Sequence, residues 1–249
     1  MQKNKWIFSI SFLSPALIIF TGFIAMSIVM TIRYSLNNWN AISTPEFIGM
    51  DNYLRIFNDS MYWKAAKNNI IVVFFAFVAQ NPVAFFLAVL VSYVRRGNRF
   101  FQSVFFLPVV ISTVATASMF VLLFNGDIGP INIILEPLNL DRNWLSDSKT
   151  VLAAVITPQL WQYLGIHFMI FLAGIQSIPG EVLESAKIDG SGSLNTVFKI
   201  IIPLSWETIQ MSLIYTFIGC LKTFDYSWVM TRGGPGTLST FIATHLYKQ

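Results

Sequence analysis

The sequence has 249 residues, of which 55% are hydrophobic and 11% are charged, whereas a soluble globular domain carries about 25% charged residues. This composition excludes an ordinary soluble protein and predicts a membrane protein. The net charge of +4 is modest, and the charged residues lie in gaps between apolar runs and form no basic patch, which argues against a nucleic-acid partner.

Five apolar runs are each close to the roughly 20 residues that cross a bilayer. The first run follows Lys3 and Lys5 and exceeds the apolar core of about 7–15 residues in a signal peptide, which predicts a retained transmembrane helix. The predicted spans cover about residues 7–32, 70–94, 104–124, 151–176 and 203–221. A further apolar pattern from about Thr240 stops at Gln249. We interpret it as a truncated sixth span, and the alternative is a chain end outside the membrane.

Basic residues near the span ends predict the orientation, since Lys and Arg are retained on the cytoplasmic side. The amino terminus is therefore expected in the cytoplasm. Arg95, Arg96 and Arg99 crowd the short second loop, which alternation of the spans also places in the cytoplasm. The connection between the fourth and fifth spans, residues 178–204, consequently faces the cytoplasm as well.

Residues 178–204 form a short polar interval in a strongly apolar protein. Pro179 suits the first turn of a helix, and the run Asp189-Gly190-Ser191-Gly192 interrupts that helix. A second helix can restart from Ser193. A helix, a glycine turn and a second helix predict a surface element that docks onto a partner.

Four polar residues of the fourth span fall on one side at helical spacing: Gln159, Gln162, Tyr163 and His167. Polar side chains are costly in hydrocarbon and tend to face protein or a water-filled path. One interpretation is a stripe that lines a path for solute. The other is hydrogen bonding between helices, which contributes about 0.6 kcal/mol for a typical pair. The sequence leaves both open.

Motifs for catalysis are missing from the sequence. It has no Gly-x-x-x-x-Gly-Lys-Ser/Thr phosphate loop, no His-Glu-x-x-His and no Gly-x-Ser-x-Gly. The single cysteine, Cys220, lies in an apolar run and cannot build a disulfide framework or a metal site. We therefore predict no catalytic residue, no metal and no cofactor in this chain, and any energy from ATP must come from a partner.

The polar interval resembles a known family. Its run Glu184-Ser185-Ala186-Lys187-Ile188-Asp189-Gly190-Ser191, followed by Pro203-Leu204, is similar to the EAA loop of binding-protein-dependent ABC importer permeases. Four further motifs resemble the carbohydrate-uptake branch, in chain order Phe47-Ile48-Gly49-Met50-Asp51-Asn52-Tyr53, Phe105-Phe106-Leu107-Pro108, Trp144-Leu145 and Thr231-Arg232-Gly233-Gly234-Pro235. The first of these resembles the MalF and UgpA half of the permease pair and not the MalG-like half.

This resemblance implies an all-α polytopic membrane protein, a single transmembrane permease domain over residues 1–249, with the type I ABC importer (MetI-like) fold and a cytoplasmic EAA coupling helix. The implied partners are a MalG-like second permease, a cytoplasmic ABC ATPase dimer that holds ATP and Mg, and an extracytoplasmic solute-binding protein. The implied location is a bacterial or archaeal cytoplasmic membrane. The chain itself would not be an enzyme.

By the same resemblance, residues of the loop couple the permease to the ATPase. Glu184 would supply a charged contact, Ala186 a close approach and Gly190 the turn. Ser185 and Asp189 belong to the same loop, and Ser185 stands where the family usually has alanine.

The implied solute path runs between the two permease subunits, and its candidate residues are Gln162, Tyr215, Gly219 and Lys222. Aromatic faces with amide or charged donors suit a sugar. Lys222 leaves an anionic sugar or a phosphate ester open. The competing hypothesis for the whole chain is a stand-alone multi-span carrier or membrane enzyme.

Overall fold

The computed structural model describes residues 2–40, 42–94 and 96–249, so that Arg95 of the predicted cytoplasmic loop lies outside the described residues. The chain divides into two compact units, Met1–Ser60 and Met61–Gln249. Most of the described residues are helical, which confirms the predicted all-α class.

The first unit contains a long apolar helix and a small loop structure. Its elements are α1 (Gln2–Phe20), a short π-helix (Thr21–Ala25), α2 (Met26–Ser35), β1 (Asn37–Asn38), β2 (Glu46–Phe47) and α3 (Asp51–Asn58). The strands pair antiparallel, Asn37 with Phe47 and Asn38 with Glu46. The Asn52 side chain explains why this loop folds back on α2, because its Nδ2 donates to the carbonyls of Ser35 at 2.9 Å and Asn37 at 3.0 Å.

The second unit begins with α4 (Ser60–Phe75), which continues through a short π-helix (Ala76–Gln80) into α5 (Asn81–Ser92). Next come α6 (Asn98–Val110), α7 (Thr113–Leu123), α8 (Pro130–Leu135) with a 3₁₀ turn (Glu136–Leu138), and α9 (Val151–Gln176). The remaining elements are α10 (Gly180–Ile188), α11 (Ser193–Thr196), a short π-helix (Val197–Ile201), α12 (Ile202–Leu204), α13 (Trp206–Leu221), α14 (Asp225–Thr231) and α15 (Ile242–Lys248).

The helices follow the predicted spans with two interruptions. Ile10–Ser35 and Ser60–Ser92 are long and apolar enough to cross a membrane, and α9 has the bounds predicted for the fourth span. The third predicted span contains a bend of 92° between α6 and α7. A bend of 71° separates α13 from the helical segment that precedes it. Among the described residues, five spans result if each bent pair crosses the membrane once.

Helix α9 lies at the centre of the second unit, where it packs against α5, α6, α13 and α14. Its Phe168 and Phe171 are at most 2% exposed and form part of a core with Ala84 and Ala88 of α5. The small side chains of α5 let the large rings of α9 fill the space between the helices.

Two asparagines of α4 hold the carboxyl-terminal segment in place. Asn68 Nδ2 donates to the carbonyl of Thr240 at 2.8 Å. Asn69 Nδ2 donates to the carbonyl of Cys220 at 2.8 Å, while its Oδ1 accepts the backbone N–H of Ile242 at 3.0 Å. Both side chains are buried, so these bonds satisfy polar groups that water cannot reach. They allow two polar residues to be buried on α4 just ahead of the apolar run that predicted the second span.

Candidate functional site

A cavity of about 320 Å³ lies where the middle of α9 meets the end of α13 and the start of α14. The side chains on its wall are both aromatic and polar, and they include Tyr163, His167, Tyr215, Lys222 and Asp225. Rings flanked by hydrogen-bonding groups can bind a polyhydroxylated solute, whose C–H faces stack on rings while its hydroxyls need polar partners.

Three of the four residues predicted to line a solute path are on this wall. Tyr215 and Gly219 reach it from α13, and Lys222 follows directly after that helix. Gln162 is not on the wall and is only 1% exposed. The structure therefore brings together the candidates of the fifth span and places the candidate of the fourth span behind them.

Gln162 instead joins three elements. Its Nε2 donates to the carbonyl of Ile111 at 2.6 Å, at the break between α6 and α7, and its Oε1 accepts from the Tyr226 hydroxyl of α14. The carbonyl of Ile111 is one of those that a helix leaves unpaired at its end. Gln162 thus fastens the broken third span and the wall of the cavity to α9.

Asp225 is a wall residue that the sequence interpretation missed. It is the first residue of α14, and its Oδ2 accepts a hydrogen bond from Thr113 Oγ1 at 3.1 Å. Thr113 is the first residue of α7, on the far side of the 92° bend. The one signal in the sequence is an acid that follows Lys222 closely after the fifth span, and it is too weak to indicate a site.

A closed hydrogen-bond network adjoins the cavity and links α5, α9 and α13. Ser212 Oγ donates to Asn81 Oδ1 at 2.7 Å, and therefore accepts from the Nδ1–H of His167 at 2.8 Å. Asn81 Nδ2 donates to Thr216 Oγ1 at 2.9 Å, and His167 Nε2 lies 3.3 Å from that same oxygen. Thr216 Oγ1 itself donates to the carbonyl of Ser212 at 2.8 Å, so this order of donors places a proton on Nδ1 of His167 and assigns none to Nε2.

The polar residues of α9 both form hydrogen bonds within the protein and line the cavity, as the two interpretations of the sequence proposed separately. Gln159 Nε2 donates to Thr223 Oγ1 at 2.9 Å, so Gln159, Gln162 and His167 all bond to residues outside α9. Gln159, Tyr163 and His167 also contribute to the cavity wall. Hydrogen bonding between helices thus fixes the side chains that shape the cavity.

The predicted helix, glycine turn and helix are present between α9 and α13. Helix α10 starts after Pro179 and ends in a Schellman motif, in which Gly190 has φ +75°. In this motif the N–H of Ser191 donates to the carbonyl of Ala186 at 2.9 Å, and the N–H of Gly190 donates to that of Lys187 at 3.1 Å. Glycine suits the turn because other residues adopt a positive φ at a cost.

The five predicted coupling residues occupy different sides of this element. Glu184, Asp189 and Gly190 are exposed, whereas Ala186 is 6% exposed and packs within its own chain. Ser185 is exposed, but its hydroxyl donates to the carbonyl of Glu181 at 2.6 Å and turns back on its helix.

The same element exposes large apolar side chains beside the charged ones. Ile188 is 86% exposed, Leu194 75% and Phe198 66%. They lie on either side of the Gly190 turn, so the conformation of this turn sets their relative positions.

We expect Gln162→Leu to lower the free energy of unfolding by about 1 kcal/mol, because it leaves the Ile111 carbonyl and the Tyr226 hydroxyl without their partner. Tyr226→Phe should cost less, since Gln162 keeps its bond to Ile111. Thermal unfolding of the purified protein in detergent measures both, and the double variant should be no less stable than Gln162→Leu alone. Additive losses would show that the two side chains act independently.

Comparison with known proteins shows which family this chain resembles. The family profile described as binding-protein-dependent transport system inner membrane component matches residues 80–247. The chain is 35% identical to the probable ABC transporter permease protein YurN of Bacillus subtilis, over 100% of this chain and 86% of that protein. It is 30% identical to the sn-glycerol-3-phosphate transport system permease protein UgpA of Escherichia coli, over 99% of this chain and 84% of that protein.

Two solved structures share the fold. A bacterial ABC transporter involved in the import of the acidic polysaccharide alginate matches with a TM-score of 0.80 and 24% identity, over 99% of this chain and 84% of that one. A bacterial alginate ABC transporter in complex with its alginate pentasaccharide-bound periplasmic protein matches with a TM-score of 0.81 and 23% identity, over 99% and 83%. These likenesses confirm the predicted fold.

Proposed function

Because this chain belongs to the family of binding-protein-dependent transport system inner membrane components, we propose that its cavity forms part of the path of a sugar or sugar-derived solute. The chain is a permease subunit of an ABC transporter and not an enzyme, and it lies in the inner membrane as a multi-pass protein. The relatives confirm the resemblance to binding-protein-dependent ABC importer permeases and give no support to a stand-alone carrier or membrane enzyme.

The composition of the cavity wall carries the proposal for the solute. Tyr163 and Tyr215 offer aromatic faces, and Lys222 and Asp225 offer a strong donor and a strong acceptor. Two similar proteins are named for the transport of sn-glycerol-3-phosphate and of alginate, and both solutes are carbohydrates or their derivatives in chemistry. The hydroxyl groups that such solutes share with sugars fit this polar and aromatic wall.

The path requires partners that this chain does not contain. We propose that a MalG-like second permease completes the wall and that an extracytoplasmic binding protein delivers the solute. A cytoplasmic ABC ATPase dimer, with ATP and Mg on that dimer, supplies the energy. The amino terminus faces the cytoplasm in this arrangement, and the exposed side chains of Arg96 and Arg99 near the start of α6 support that orientation. Co-purification of a second permease and an ATPase with the tagged chain is the first test.

Residues 178–204 form the contact with the ATPase in this proposal. Support comes from the exposed charge of Glu184 and the exposed apolar side chains of Ile188 and Leu194. Burial of apolar side chains in a groove of a partner supplies affinity, while charges at the rim fix orientation. Ala186 acts in a different way from that implied by the family resemblance, since its small side chain lets α10 pack closely onto its own chain.

Removal of the polar and aromatic wall groups tests the solute path. We expect Tyr215→Ala and Lys222→Ala each to lower solute uptake by reconstituted complexes by about tenfold or more, which corresponds to about 1.4 kcal/mol of lost binding. Ile214→Ala is the matched control, because Ile214 neighbours Tyr215 on α13 but is 61% exposed and not part of the wall. Unchanged uptake and unchanged solute preference in both wall variants would exclude this cavity from the path.

A further inference from the structure

The cavity wall carries one basic and one acidic side chain, Lys222 and Asp225. Within the described part of the chain no ion pair joins them, although both face the same space. Thr113 engages one oxygen of Asp225, which leaves the other carboxylate oxygen available to a solute. In the part of the wall that this chain supplies, the two charges therefore balance without direct contact between them.

The other titratable groups on the wall add no positive charge. The His167 side chain is 2% exposed and contacts the hydroxyls of Ser212 and Thr216, a setting that disfavours a charged ring, and the phenols of Tyr163 and Tyr215 have no positively charged form. A phosphate or carboxylate in this space would gain the attraction of Lys222 and meet the repulsion of Asp225. A solute without net charge meets no such conflict.

From this balance we propose that the cavity selects a neutral saccharide and discriminates against an anionic sugar or a phosphate ester. Sugar hydroxyls both donate and accept, so that one hydroxyl can donate to Asp225 while another accepts from Lys222. The rings of Tyr163 and Tyr215 provide faces for the C–H surface of the sugar. The inference rests on the proposed function, because it assigns a class of solute to the same cavity.

Uptake into proteoliposomes that hold the assembled complex and its binding protein tests the charge of the solute. The neutral probes are maltotriose, raffinose and a mixed hydrolysate of neutral plant oligosaccharides. The anionic probes are sn-glycerol 3-phosphate, glucose 6-phosphate and glucuronate. We expect uptake from the neutral group and none from the anionic group. Uptake of an anionic probe, or of no neutral probe, overturns the proposal.

Two isosteric variants then locate the discrimination in this cavity. Asp225→Asn and Lys222→Gln should each lower uptake of the neutral probe by about tenfold, because each removes a charge-assisted hydrogen bond to a hydroxyl. For an anionic solute the two variants should differ, since Asp225→Asn removes a repulsion and raises uptake while Lys222→Gln lowers it. Opposite effects of the two variants therefore contradict the proposal.

The controls separate this inference from the proposed function. Asp141→Asn and Lys149→Gln carry the same changes at residues outside the cavity and should leave uptake unchanged. Size-exclusion chromatography verifies that every variant complex is assembled. If Asp225→Asn and Lys222→Gln both leave uptake of the transported probe unchanged, the cavity is not on the path. That result refutes the proposed function of the cavity, whereas opposite effects refute only the neutral charge of the solute.

Discussion

Replacement of Gly190 by valine is expected to abolish solute-stimulated ATP hydrolysis by the assembled complex while the membrane helices stay folded. Gly190 has φ +75°, a conformation that costs an L-residue about 1–2 kcal/mol and a β-branched residue more. The valine variant would therefore lose the Schellman turn and displace Leu194 relative to Ile188, the two exposed apolar residues on either side of it. On the proposed function of this loop, the displaced surface would no longer fit the ATPase.

Two comparison variants show whether the backbone or the surface is responsible. A Cβ on Gly190 meets no atom of this chain within 4 Å, so the backbone conformation and not a Cβ contact opposes substitution there. Gly190→Asn should retain most of the coupling, because asparagine tolerates a positive φ. Gly192→Val should be harmless to the backbone, since Gly192 has φ −69° and a Cβ there also meets nothing within 4 Å.

The measurement is the ATPase rate of purified complexes in nanodiscs, with and without the solute-loaded binding protein. Native-like thermal unfolding of the isolated Gly190→Val permease should accompany the loss of stimulation. Full stimulation in Gly190→Val complexes would contradict the role of the turn. Loss of stimulation in both Gly190→Val and Gly190→Asn would move the explanation from the backbone to the surface contact.

The sequence predicts a helix best where one apolar run contains all the residues that pack. Helix α9 has the predicted bounds, Val151–Gln176, because its run ends at Ser177 and Pro179, which stop a helix. Helix α4 instead begins at Ser60, ahead of the apolar run, since Asn68 and Asn69 are buried by bonds to the carboxyl-terminal segment. The hydropathy of asparagine predicts an exposed side chain, and it carries no information about hydrogen-bond partners that are distant in sequence.

The break in the third span is missed for a related reason. Ser112 and Thr113 look like small polar residues that allow close packing of a continuous helix. In the structure they lie at a bend of 92°, where Gln162 Nε2 donates a hydrogen bond to the carbonyl of Ile111. The cost of an unpaired carbonyl is removed by a side chain about fifty residues away in sequence, so local propensity cannot predict the break.

The same limit applies to the cavity. Tyr215, Gly219 and Lys222 were predicted from the family resemblance, and the structure brings them together because they lie on or directly after one helix. Asp225 joins them only through the turn after α13 and its bond to Thr113, which depends on how α7 and α14 pack. The charge balance of the site therefore becomes visible only in three dimensions.

Substitution of Gly165 is expected to lower the stability of the protein strongly, because a glycine at this position allows α6 and α9 to approach closely. A Cβ on Gly165 would lie 2.2 Å from the carbonyl oxygen of Phe105 and 3.0 Å from Cγ2 of Val109. The first of these atoms belongs to the backbone of α6, so the clash cannot be relieved by rotation of a side chain. The helices must separate, which withdraws α6 from the ring of Phe168.

We therefore expect Gly165→Ala to lower the free energy of unfolding by about 3 kcal/mol, at the upper end of overpacking effects, and Gly165→Leu to prevent recovery of a monodisperse protein. Gly174→Ala should cost less, since its Cβ would meet only the side chain of Thr208, with Oγ1 at 2.5 Å. Gly22→Leu should be tolerated, because a Cβ there meets nothing within 4 Å. Thermal unfolding in detergent ranks the other three variants, and equal stability of Gly165→Ala and Gly22→Leu would contradict the close approach of α6 and α9. Because α6 ends at the carbonyl held by Gln162, separation of the two helices should also loosen the bend that positions Thr113 against Asp225, and solute uptake should fall even in the Gly165→Ala protein that still folds.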